Sequence, residues 1–214
     1  TADGAVTFRN LEVEVPGRQR DRFILFGCHY DTKRFVTNPD FAGANDGASG
    51  VGALLAMLAA LTAHSDPPPC ALRFVFLDGE ECLYEYGERD GLHGSRRHAA
   101  RIVRESPGAC LAAIILDMIG DRDLTITLSA DTDPRLLREL SAAAAVSGRS
   151  NLLKPYGRNI LDDHCPYRDA GIPAMVLIDF EYGPGNRYWH SPADTPDKLS
   201  AASLESAAEL ALAL

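Results

Sequence analysis

Short, mostly apolar runs that each break off at a polar or acidic residue set the pattern of this chain. Residues 23–26, 72–77, 111–116 and 174–178 have the composition of strands buried on both faces, and a further short strand is expected at 124–128. Between residues 6 and 15 apolar and polar positions partly alternate, and Pro16-Gly17 makes a turn. Together with residues 23–26 this predicts a hairpin at the start of the sheet. A polar loop containing Asn38-Pro39 leads to Gly43-Ala44-Asn45-Asp46. A helix is expected from Ser49 through Ala63, its Val51, Leu54, Leu55, Leu58 and Leu61 facing the sheet, with the prolines at 67–69 ending the element. Further helices are expected at 95–104, from the Asp133-Pro134 cap to Gly148, between His164 and Gly171, and from about Ser200 onward. Residues 149–161 read as irregular. Strands alternating with helices predict an α/β fold with a mixed sheet, parallel at its centre, and the amino-terminal hairpin at an antiparallel edge.

Composition narrows this picture. With 214 residues, 46% of them hydrophobic, the chain is expected to form one domain over 1–214 with a sizeable core. A net charge of −9 and no long Lys/Arg run argue against nucleic acid or an anionic membrane surface as partner. The apolar stretches are too short to insert across a bilayer. Arg96, Arg97, Arg101 and Arg104 read as a solvated helix face. The five cysteines, Cys28, Cys70, Cys82, Cys110 and Cys165, are odd in number and form no CxxC pair, so buried free thiols are expected. The chain opens at Thr1 without Met, a charged leader or an apolar signal segment. An amino-terminal truncation is the expectation, and targeting is not legible.

The chemistry concentrates at Leu77-Asp78-Gly79-Glu80-Glu81. Carboxylates at the mouth of a sheet cost several kcal/mol unless something positive neutralises them, and no Lys or Arg adjoins them in sequence. A metal ion answers that need; capping of the following helix is the plainer alternative. His29, Glu80, Glu81, Asp117 and His190 all fall beyond the carboxyl ends of predicted strands, and Asp46 lies just ahead of a helix. That is the rim at which open α/β sheets bind ligands. Taken singly, His29 could be a satisfied strand-end histidine, Asp46 an N-cap and Asp117 a loop acid. Taken together, two His, two Asp and one Glu suit zinc, which leaves Glu80 free for general acid/base work.

The ordered set His29-x-Asp31, Gly43-Ala-Asn-Asp46, Asp78-Gly-Glu80-Glu81, Asp117-Met118 and His190 resembles the M28 family of zinc aminopeptidases and their relatives, the glutaminyl cyclases. The resemblance runs from about residue 23 to the end and implies a zinc-exopeptidase-like, three-layer α/β/α sandwich. Nine residues, 82–90, separate the double Glu from Gly91-Leu92-His93-Gly94-Ser95-Arg96, a spacing similar to the cyclases. Asp162-Asp163-His164-x-Pro166-Tyr167 resembles a cyclase segment that peptidase relatives share in similar form, and Trp189-His190 resembles the cyclase Trp-His pair. There are departures. Tyr86 stands where the cyclases carry a loop tryptophan, and His190-Ser-Pro-Ala-Asp194-Thr195 is closer to the peptidase ending. Val51 replaces the cysteine that in animal cyclases pairs with the counterpart of Cys28, and the segments before the first family strand are short or missing.

For a cyclase the resemblance implies one zinc held by Asp46, Glu81 and His190, with peptide or protein N-termini as substrate. Glu80 would be the general acid/base, Asp117 and Asp162 would form a carboxyl relay with it, and Tyr86 and Trp189 would wall the pocket. For an aminopeptidase it implies a second zinc on His29 and Asp117, with Asp46 bridging. A non-catalytic binding domain on the same fold is the third reading, weighed against by the presence of Glu80 beside a full ligand set. Family habit implies an exported protein.

Overall fold

In the computed structural model, residues 5–35 and 41–214 are described; Thr1 and the Asn38-Pro39 stretch lie outside them. Among the described residues seven strands form one sheet: β1 (Leu11–Val15), β2 (Gln19–His29), β3 (Cys70–Leu77), β4 (Cys110–Asp117), β5 (Ile126–Leu128), β6 (Leu153–Pro155) and β7 (Ala174–Ile178). Their order is β1-β3-β2-β4-β7-β5-β6. The centre, β3-β2-β4-β7, is parallel, whereas β1 and β5 run antiparallel to their neighbours β3 and β7. Five helices accompany the sheet among the described residues: α1 (Ala48–Ala63), α2 (His93–Glu105), α3 (Pro134–Val146), α4 (His164–Asp169) and α5 (Ala201–Leu212).

The strict alternation of a pleated strand divides the core into two layers. Leu72, Phe74 and Phe76 of β3 point into one cluster with Leu54, Leu140 and Leu210 from α1, α3 and α5. Ala71, Val75 and Leu77 point into the other, with Ile102 of α2 and Tyr167 of α4. The result is the expected α/β/α sandwich. Helix α1 lies so close to the sheet that a Cβ at Gly50 would meet the Cys28 Cβ and the Leu116 carbonyl oxygen, each at 2.6 Å. Asp133 caps α3 as its sequence predicts, accepting from the backbone N–H groups of Arg135 and Leu136. All five cysteines are buried and free. Among the described residues, no helix is long and apolar enough to cross a membrane.

Leu55, expected to face the sheet, is instead 54% exposed on α1, and two expectations about strands need correction. The amino-terminal segments do not form a hairpin, because β3 inserts between β1 and β2, pairing Val13 with Phe74. The apolar core of β2 is satisfied by two buried neighbours, while β1, exposed along most of its length, belongs at an edge. The Pro16-Gly17 turn instead carries the chain across the start of β3, where Arg18 and Gln19 donate to the carbonyls of Pro68 and Pro69. The second correction is β6, which lies within the stretch read as irregular. It is three residues long, largely exposed and ends in Pro155, which only an edge strand tolerates.

Candidate active site

Three central strands end at the same rim and deliver the acids and imidazole there: β2 ends in His29, β3 runs into Asp78-Gly79-Glu80-Glu81, and β4 ends in Asp117. Asp46 arrives from the turn ahead of α1, and His190 from the loop after β7. His190 Nε2 lies 3.0 Å from Glu81 Oε1 and 3.1 Å from Asp46 Oδ2. His29 Nε2 lies 3.1 Å from Asp117 Oδ1 and 3.3 Å from Asp46 Oδ1. Two ligand groups therefore meet at Asp46: Asp46, Glu81 and His190 on one side, His29, Asp46 and Asp117 on the other.

Buried hydrogen bonds hold this arrangement. The Asp31 carboxylate accepts the backbone N–H groups of Glu80 and Glu81, each at 3.1 Å, and its carbonyl bonds His29 Nδ1 at 3.1 Å. The Asp194 carboxylate accepts the N–H groups of Asn45 (2.7 Å) and Asp46 (3.2 Å) and the Tyr182 hydroxyl (2.9 Å). The Asn45 amide ties the same turn to the end of β4 by donating to the Met118 carbonyl and accepting from Gly120 N–H. Met118 and His190 both sit at positive φ, 46° and 49°. Such backbone costs a non-glycine residue about 1–2 kcal/mol, and here it borders the ligands.

Burial governs the charges. Glu80 is driven well above the ordinary carboxylate range by burial, assisted by the negative charges of Asp163, Asp162 and Glu81 and opposed by His29. Its two oxygens each accept from the Tyr86 hydroxyl at 3.1 Å. Burial and the charges of Asp117 and Asp163 push Asp162 well up, burial also raises Asp117, and burial brings Asp163 to about 7. Asp46 goes the other way, since the adjacent imidazoles of His190 and His29 outweigh the cost of its burial. His190, despite burial, is raised to about 9 by Asp46 and Glu81.

Asp46 Oδ2 is buried without a hydrogen-bond partner, although it faces His190 Nε2. An orphaned carboxylate oxygen, a second carboxylate and an imidazole meet the donor requirements of zinc. Their 3.0–3.1 Å separations are close to the roughly 3.3 Å edge of a tetrahedron built on zinc bonds of about 2.0–2.1 Å. The residues fit a metal ion.

Of the candidate residues, Asp46, Glu81 and His190 are brought together, Glu80 and Asp162 lie buried beside them, and Tyr86 closes over Glu80. Glu80 bonds Tyr86 and Asp117 bonds His29, while Asp162 is joined to Glu80 and Asp117 through their charges. The Trp189 ring stacks on His190, with centroids 4.2 Å apart. Several contributors escaped sequence reasoning. Lys33, remote in sequence from the acids, places Nζ 3.3 Å from Glu81 Oε2. Asp31 stands within the quoted His-x-Asp motif, but its backbone-binding role has no sequence signal. Asp194 and Asp163 act through contacts that only folding creates. A further group, Asp131, His164 and Cys165, lies elsewhere, and there Arg168 already pairs with Asp131.

The family model for Peptidase family M28 matches residues 10–214. The chain belongs to peptidase family M28. Curated proteins similar to it are named glutaminyl-peptide cyclotransferase or glutaminyl-peptide cyclotransferase-like protein. The glutaminyl-peptide cyclotransferase-like protein of Mus musculus is 32% identical, over 92% of this chain and 57% of its own length. The glutaminyl-peptide cyclotransferase of Boiga irregularis is 26% identical, over 98% and 65%. The chain thus spans about three-fifths of the curated relatives it matches. A solved glutaminyl cyclase from an Acidobacteriales bacterium superposes with a TM-score of 0.89 at 36% identity, covering 96% of this M28 chain and 72% of that one. That of Fimbriiglobus ruber gives 0.83 at 27%, over 98% and 75%. A Zn-dependent exopeptidase from Parabacteroides distasonis shares the fold, with a TM-score of 0.77 at 21% identity over 96% and 76%.

Proposed function

We propose that this M28 chain is a single catalytic unit that converts the N-terminal glutamine of peptides or proteins to pyroglutamate with release of ammonia, using one zinc held by Asp46, Glu81 and His190. The observation that carries this reading is the 82–90 loop, which brings the Tyr86 hydroxyl to 3.1 Å from each oxygen of Glu80. The solved cyclase at 36% identity supports it.

Cyclisation forms a bond from the substrate's α-nitrogen to its side-chain amide carbon and breaks the bond from that carbon to the amide nitrogen. One proton must leave the attacking amine and one must reach the departing ammonia. Glu80 suits both transfers, because burial raises its proton affinity well above that of an ordinary carboxylate. The charge of Asp162 helps raise that affinity, and Asp117 in turn raises Asp162, so that crowded acids share few protons. Tyr86 orients the Glu80 carboxyl, and Trp189, 38% exposed, offers an apolar wall beside His190. When bound, zinc supplies Lewis acidity toward the substrate's amide carbonyl.

One observation favours a second reading. The ligand groups on either side of Asp46 share that residue, as two adjacent ions require, and an M28 aminopeptidase would use both. The deciding experiment measures, on zinc-loaded protein, ammonia release from a Gln-initiated dipeptide, amino-acid release from leucyl and alanyl peptides, and zinc per chain. Ammonia release with one zinc is expected. Peptide cleavage with two zincs, lost in His29→Ala, would replace the cyclase by the peptidase. Zinc-free protein whose Tm ignores chelators would replace both by a binding domain.

A further inference from the structure

We infer that Asp90 is the positioning residue of the site, acting through the loop that carries Tyr86. Its Oδ1 accepts the backbone N–H of Leu83 at 2.7 Å, and its Oδ2 those of Tyr84 at 2.8 Å and Glu85 at 3.3 Å. One carboxylate thereby gathers three consecutive amides of the segment between Glu81 and Tyr86. Main-chain bonds between Gly87 and Asp90, at 3.0 and 3.5 Å, close the far side.

Lys33 touches the ends of this stretch, with Nζ 3.0 Å from Cys82 Sγ and 5.5 Å from the centre of the Tyr86 ring, and leaves 83–85 to Asp90. Leu83 is 38% exposed and Tyr84 83% exposed, so apolar burial does not dictate their path. A loop with few buried contacts takes its geometry from its hydrogen bonds. Both ends are anchored at the reacting acids. The loop leaves directly from Glu81, and on return Leu92 N–H donates to the Glu80 carbonyl at 2.9 Å and His93 N–H to that of Gly79 at 2.8 Å. Between them the Tyr86 ring lies over Gly91, which sits at φ 76°; a Cβ there would meet the ring at 2.4 Å and the Glu80 carbonyl oxygen at 3.1 Å. Asp90, one residue before that glycine, fixes the loop backbone from which Tyr86 reaches Glu80. No side-chain hydrogen bond of Asp90 runs to the reacting acids among the described residues, so its effect passes through the loop.

The kinetic part of this inference rests on the cyclase reading; the structural part does not. The test compares Asp90→Ala, Asp90→Asn, Tyr86→Phe and the Asp90→Ala/Tyr86→Phe pair in zinc-loaded protein. Amide exchange at 83–85, the ring resonances of 13C-labelled Tyr86, Tm, and kcat and KM for ammonia release are measured. Asp90→Ala is expected to speed exchange at the three amides, shift the Tyr86 resonances, and lower kcat about tenfold with little change in KM or Tm, with Asp90→Asn intermediate. In the Tyr86→Phe background the same change should cost less than about twofold, because the group it positions is already gone. Unchanged exchange and ring resonances, or equal losses of kcat in both backgrounds, would overturn the inference. A parent protein that releases no ammonia would fail the cyclase reading alone, and exchange with the ring resonances would still decide for or against Asp90.

Discussion

Under the proposed mechanism, replacing Glu80 by Gln separates proton transfer from everything else the site would do. Gln keeps the volume of the side chain and an oxygen able to accept from the Tyr86 hydroxyl, now 3.1 Å away, so substrate binding should change little. What disappears is the exchangeable proton. General acid/base catalysis contributes about 10²–10⁴-fold, equivalent to roughly 3–5 kcal/mol in the barrier, and kcat for ammonia release should fall by that factor with KM nearly constant. Stability should move the other way. Burial raises Glu80 above its unfolded value of 4.5, so the unfolded chain gives up this proton first. In metal-free protein Glu80 therefore destabilises the fold increasingly as pH climbs above 4.5, and has no such effect below it. Each tenfold weakening of the acid corresponds to about 1.4 kcal/mol, and about 1 kcal/mol moves Tm by roughly 2–4 °C at this chain length. Metal-free Glu80→Gln should thus melt a few degrees above the parent at pH 7–8 and level with it at pH 4. Steady-state ammonia assays and melting curves across pH test both halves. A kcat within tenfold of the parent would refute the proton-transfer role, and a lower Tm at pH 7–8 would refute the account of the buried charge.

Two further perturbations probe the frame. His164 is fully buried, and burial pushes it from 6.5 down to about 4, against a small opposing effect of Asp169; as pH falls from 6.5 to 4 the unfolded chain gains a proton that the folded chain refuses, a loss of about 3 kcal/mol. His164→Asn should flatten that part of the Tm-versus-pH curve, and an unaltered acid slope would count against it. Gly50→Ala must force a methyl group between the Cys28 Cβ and the Leu116 carbonyl, at a cost of about 1–3 kcal/mol. It should lower Tm and, by shifting the α1 turn that presents Asp46, weaken zinc binding in a titration. A Tm equal to the parent's would contradict the close approach.

Sequence by itself determined the frame. The apolar runs before His29, at 72–77, before Asp117 and at 174–178 are buried strands wherever they occur, because only a sheet covered on both faces hides them, and the Asp133-Pro134 cap is a local matter of backbone N–H groups. The resemblance to the M28 family implied Asp46, Glu81 and His190 as one set, and the fold brings these three together at the rim where the central parallel strands end. Only the tertiary structure decided the strand order that sets β3 between β1 and β2, for pairing of an edge strand depends on which neighbour is left open. It alone revealed Lys33 beside Glu81, Asp194 beneath Asp46 and Asp90 gathering the loop amides. Those contacts join residues through single carboxylates, a lysine and backbone amides, and hydrogen bonds to a main-chain N–H leave no mark on residue type. Hydrophobic periodicity is repeated along many positions and is legible in one dimension. A lone polar contact is specified once, by the packing that brings its two ends together.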